Sequence, residues 1–158
     1  MTAVILCTRA VTRTTVHSAD AFLSAFAAAV CGLADLGEGC VRLVGAGGPP
    51  PLPFRVGAGG EVLDVLGLPL DLIPGAAYEE VRFDVGPGDC LFLGTGGTTE
   101  INDASGRQLG SEGLLRVLQD LRYPESGVDF RAIEAVLLAY SDRIRFDDDL
   151  TFLEMRMT

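Results

Sequence analysis

Apolar residues along this chain follow two rhythms, one helical and one strand-like. From Ser18 to Leu33 the positions Phe22, Phe26, Ala29, Val30 and Leu33 recur at helical spacing, with Ser18 placed to cap and Asp20 in the first turn. That spacing predicts a helix, and Gly37 ends the run. Met1 to Val16 is apolar with Arg9 and Arg13 four apart, which suits either a helix or a strand followed by a connector. After Gly39 the rhythm shortens to β-like runs punctuated by glycine and proline: Cys40 to Val44, Leu52 to Val56, Val62 to Leu66, Tyr78 to Val85 and Cys90 to Leu93. From Val81 onward the fourth run alternates apolar with charged residues, as a strand with one wet face does. Helical spacing returns at about Ser111 to Leu121 and at about Asp129 to Tyr140, where Phe130, Ile133, Val136, Leu137 and Tyr140 share one stripe. Leu150 to Met157 reads as a final strand. Hairpin-linked strands with segregated helices predict an α+β layered sandwich, a mostly antiparallel β-sheet flanked by helices, and not a doubly wound nucleotide fold. At 158 residues and 48% apolar, the chain has the size of one domain, residues 1–158, and enough apolar surface for a core.

Charge narrows the partners. There are 22 acidic residues against 12 basic ones, all arginine, for a formal charge of −10. Such a surface repels nucleic acid and anionic lipid, because both need clustered cations to neutralise phosphates. Without lysine there is also no phosphate loop of the Walker type. Cys7, Cys31, Cys40 and Cys90 form no Cys-x-x-Cys pair and sit among apolar neighbours, so they read as small buried hydrophobes in a reducing cytoplasm. A single histidine, His17, cannot anchor a histidine-rich metal centre and reads as a surface or helix-end residue. Arg9 follows the first apolar run where a signal peptide needs its charge before it, and no run is long enough to span a bilayer. A cytoplasmic protein is expected.

Three segments offer candidate chemistry. Val44-Gly45-Ala46-Gly47-Gly48-Pro49-Pro50-Pro51 looks like a dinucleotide fingerprint, but three prolines cannot supply the helix N-terminus that holds a pyrophosphate. It reads as a rigid loop. Pro87-Gly88-Asp89 launches the apolar strand Cys90 to Leu93, which runs into the small-residue loop Thr95-Gly96-Gly97-Thr98-Thr99 and the carboxylate of Glu100. Asp147, Asp148 and Asp149 open the last strand. Adjacent acids repel unless water or a hard divalent cation screens them, so this cluster reads either as a solvated turn or as a magnesium or manganese site. Strand alternation would aim only one or two of the three at any one ion.

In order and spacing, these pieces resemble the C-terminal two-thirds of the SpoIIE-type metal-dependent phosphatases, the bacterial branch of the PPM serine/threonine protein phosphatases. Gly67-Leu68-Pro69-Leu70, Ser105-Gly106 and Leu109-Gly110 add structural matches, and Gly48 stands where that family often has histidine. Together the matches run from about Cys40 to the C-terminus. The resemblance implies a fold of the PPM kind lacking its usual N-terminal strands. It also implies a rival reading of the first helix, in which Phe26 to Leu33 is a strand in a hairpin turning at Gly37-Glu38-Gly39. In that family, carboxylates from an Asp-Gly motif, a Thr-Asp-Gly loop and a final Asp-Asp pair hold two manganese or magnesium ions, which activate a water against phosphoserine or phosphothreonine. Asp148-Asp149-Leu150-Thr151 matches the Asp-Asp-x-Thr pattern, so the resemblance makes Asp148, with Asp149 beside it, the metal candidate. Thr95-Gly96-Gly97 matches the loop, but Gly96 replaces its aspartate, and the Asp-Gly motif has no counterpart. Glu100 and Asp103 flank the loop as substitutes.

Three expectations follow from the resemblance. The chain is a pseudophosphatase, a regulatory or protein-interaction module that holds no metal pair and partners a phosphoprotein or other regulatory protein. Alternatively, it is an active manganese- or magnesium-dependent phosphatase acting on a phosphorylated regulator such as an anti-sigma-factor antagonist. Or its site is completed by a second subunit, in which case it is a homo-oligomer.

Overall fold

The structure is a computed structural model that describes residues 3–13, 25–35, 37–125, 127 and 129–158. In chain order its elements are β1 (Ala3–Arg13), β2 (Ala25–Asp35), β3 (Cys40–Ala46), β4 (Leu52–Arg55), β5 (Gly59–Gly60), β6 (Glu80–Asp84), β7 (Cys90–Gly94), α1 (Gly110–Asp120), α2 (Phe130–Ser141) and β8 (Phe152–Arg156). A single 3-10 turn, Gly96–Thr98, follows β7. The chain forms two compact units, Met1–Gly48 with Val65–Asp84, and Pro49–Asp64 with Val85–Thr158.

The first unit holds a four-stranded antiparallel sheet in the order β1-β2-β3-β6. The N-terminal stretch that its apolar pattern left open is therefore strand over Ala3–Arg13. The helix expected to reach Leu33 is corrected: Ala25–Asp35 is strand β2, while Ser18, Asp20 and Phe22 lie outside the described residues, as does His17. Alanine is a weak strand former, but β2 has a ladder on each side, and backbone pairing with β1 and β3 outweighs a local preference of well under 1 kcal/mol per residue. At Gly32 a Cβ would collide with Leu43 of β3, so the missing side chain permits close approach of the two strands. The hairpin to β3 turns at Gly37 to Gly39, with the Asp35 carboxylate accepting the Gly37 and Glu38 N–H groups at 3.0 and 3.2 Å and Gly39 at φ +61°. Cys31 is exposed, contrary to its expected burial, whereas Cys40 and Cys90 are buried as expected.

The second unit holds the sheet β5-β4-β7-β8 and both helices. The strand expected at Val62 to Leu66 does not form, and on that side β4 pairs with the two-residue β5. The cause lies at and just before β4. Pro51 and Pro53 accept from Leu63 N–H (2.9 Å) and Glu61 N–H (3.1 Å) but have no N–H to return, so the ladder stops. β7 is buried on both faces, which explains its unbroken apolar run. Its Cys90 and Phe92 join Leu52, Phe54, Leu114, Leu118, Tyr123, Ile133 and Leu137 in the core that seats α1 and α2. The α2 start falls where the sequence puts it, with the Asp129 carboxylate accepting from Arg131 and Ala132 N–H at 3.0 and 3.1 Å.

Candidate functional site

The second unit brings the small-residue loop after β7 against the acidic segment before β8. Antiparallel pairing of Gly94 with Phe152 sets the two segments side by side, and Thr95 joins them further. Its N–H donates to Thr151 O at 3.1 Å, and its hydroxyl accepts from Thr151 N–H at 3.2 Å and lies 3.4 Å from Asp149 O. A Cβ at Gly97 would overlap the Asp149 carbonyl oxygen and lie 3.6 Å from Asp148 Cβ, so only glycine fits this crossing. Thr95, Gly97, Asp148 and Asp149, proposed from sequence as one site, are therefore neighbours.

A cleft of about 180 Å³ opens beside this crossing, lined by Gly97, Glu100, Arg143, Arg145, Asp147 and Asp148 among others. The carboxylates around it are unequally available. Asp147 is ion-paired with Arg143. Asp148 Oδ1 accepts the Asp149 N–H at 2.8 Å. Asp103 is bound up in its own turn: its Oδ1 accepts from Ser105 Oγ (2.6 Å), Ser105 N–H (2.9 Å) and Arg107 N–H (3.0 Å), and Arg107 Nε lies 3.2 Å from Oδ2. The Ser105 hydroxyl above all, then the Arg107 N–H, holds this carboxyl below its ordinary value. Asp89, at the opposite end of β7 from this cleft, is structural, taking the Val56 and Gly86 N–H groups at 2.9 Å each. Glu100 differs from both. An ideal Cβ at Gly96 would lie 3.0 Å from Glu100 Oε1, so this carboxylate folds back to where a side chain at position 96 would start.

Two ions sharing a water need several converging oxygen donors. Among the described residues, no three acidic, histidine or cysteine side chains converge to hold a metal ion. Glu100 and Asp148 share the cleft.

The family model described as Stage II sporulation protein E (SpoIIE) matches residues 5–158. The chain belongs to the SpoIIE family. The SiaA-PP2C domain of Pseudomonas aeruginosa is similar in structure, with TM-score 0.64 and 22% identity over 86% of this chain and 54% of that one. The RsbU and RsbW domains of Rv1364c from Mycobacterium tuberculosis give TM-score 0.65 and 22% identity, covering 82% of this chain and 36% of that one. The manganese-presoaked phosphatase domain of the cell fate determinant SpoIIE from Bacillus subtilis gives 0.62 and 16%, covering 82% and 56%. No curated protein matches. These likenesses show a PP2C-type phosphatase fold, in agreement with the expected α+β class, and this SpoIIE-family chain spans between 36% and 56% of the three solved chains. Among the described residues, no helix is long and apolar enough to cross a membrane.

Sequence reasoning missed the arginines of the cleft. Arg143 and Asp147 are four apart, the spacing of a helical ion pair, but they follow the end of α2, where that spacing carries no geometric meaning.

Proposed function

We propose that this chain is a SpoIIE-like pseudophosphatase domain, a regulatory or protein-interaction module with an incomplete metal centre. The observation that carries the reading is Gly96, which puts hydrogen where the family loop has a carboxylate. Of the two acids that flank the loop, Asp103 is engaged with Ser105 and Arg107, and of the acids before β8, Asp147 is engaged with Arg143. The partner on this reading is a phosphoprotein or other regulatory protein, and self-association is a further part of the proposal. A cytoplasmic setting fits the buried thiols of Cys40 and Cys90. Calorimetric titration with manganese chloride is the test. The proposal expects at most one weak site and no release of phosphate from para-nitrophenyl phosphate or a phosphoserine peptide.

One observation favours the active alternative, in which the chain is a manganese- or magnesium-dependent phosphatase. The Glu100 carboxylate lies beside position 96 and lines the same cleft as Asp148. Tight binding of two ions, with phosphate release abolished by Asp148→Ala and by Glu100→Gln, would establish that reading and end the first.

A further inference from the structure

A second depression, about 450 Å³, adjoins the cleft and shares Asp148 with it. Its floor is aromatic. Phe130, at the start of α2, stacks on Phe152 of β8 with ring centroids 5.8 Å apart and planes 13° from parallel. Phe152 in turn packs on Phe92 of the core at 5.6 Å, which fixes the stack in place. Phe130 uses one face for the stack and keeps 43% of its surface exposed. Carboxylates surround the rings. Glu134, Asp148 and Asp149 line the groove against a single guanidinium, that of Arg131, and all three acids are exposed.

We infer that this groove receives an arginine side chain presented by a partner protein. Exposed aromatic faces attract a cation through the ring quadrupole, and a guanidinium lies flat on such a face while its N–H fork meets carboxylates at the edge. A neutral apolar side chain would use the rings and leave the excess negative charge uncompensated. A second copy of this chain, carrying −10 itself, matches this particular groove less well than a cationic partner, whatever other surface it uses to self-associate. The inference rests on the proposed role as a partner-binding module in one respect: the groove is continuous with the candidate site, so a segment crossing that site would set its neighbouring residue here.

The test uses N-acetyl-arginine amide as the probe, titrated into the full chain and followed by amide chemical shifts. Saturable shifts should centre on Phe130, Arg131, Leu150 and Phe152, and N-acetyl-citrulline amide, the neutral isostere, should bind several-fold more weakly. Phe130→Ala should weaken the arginine probe about two- to fivefold, the range for an exposed cation–π contact. Glu134→Lys, a change at an exposed position, should weaken it at least as much without affecting folding. Equal binding of the citrulline probe, stronger binding of N-acetyl-leucine amide, or shifts confined to other surfaces would overturn the inference. So would sedimentation showing a dimer that Phe130→Ala dissociates. Manganese-dependent hydrolysis of para-nitrophenyl phosphate would remove the pseudophosphatase reading and leave this result standing.

Discussion

Gly96 and Gly97 are adjacent and chemically identical, yet their surroundings make opposite demands. Gly97 faces backbone: the Asp149 carbonyl occupies the space of its absent side chain, and backbone cannot move aside cheaply. Gly97→Ala should therefore cost about 1–3 kcal/mol in denaturant unfolding, in the range of an overpacked site. Gly96 faces the far end of a flexible side chain, the Glu100 carboxylate. Gly96→Asp should leave the unfolding midpoint nearly unchanged and raise manganese affinity measured by calorimetry. Unaltered affinity would mean that the acids before β8 do not serve this loop. The sequence reveals both glycines and the lost aspartate. It does not reveal which neighbour each glycine meets, because those contacts join residues 96 and 97 to positions 4 and 52 places away.

At the level of elements, legibility tracks how local the determining interactions are. The start of α2 was readable because its cap and its apolar stripe belong to one continuous segment. Asp129→Ala removes two accepted N–H bonds and should cost about 1 kcal/mol in thermal or urea unfolding, with fraying of the first turn that carries Phe130. An unchanged midpoint would show that core packing alone holds this end of α2. β2 departs from its apolar pattern because its alanines keep helical spacing while its bonds go to β1 and β3. Val62 to Leu66 departs for the opposite reason: its residues favour a strand, but Pro51 and Pro53 deny it a reciprocating partner.

Across the whole molecule the charge pattern has a consequence in alkali. The chain has no lysine and three tyrosines, and the phenol of a tyrosine free in water ionises at about pH 10. Tyr123 is buried, with its hydroxyl facing the Glu154 carboxylate and the Cys90 thiol. Burial first, and then the nearby Glu154 carboxylate, raise the phenol above its ordinary value. A group whose pKa is raised on folding contributes its full stabilisation below the unfolded value of about 10, and that contribution is lost as pH climbs above it. The melting temperature should fall from about pH 9 to pH 11, and Tyr123→Phe should lessen that fall, because it removes the phenol whose ionisation burial and Glu154 oppose. An equal fall in the variant would assign the alkaline loss to other groups. The family, the α+β class, the glycine at 96 and the acidic run before β8 were all present in the sequence by itself, because residue identity and short-range periodicity carry them. Only the tertiary structure decided that β2 is a strand, that Asp89, Asp103 and Asp147 are already engaged, and that Glu100 turns back toward Gly96. Ladder partners and carboxylate neighbours are set by contacts between segments, and spacing along one segment does not encode them.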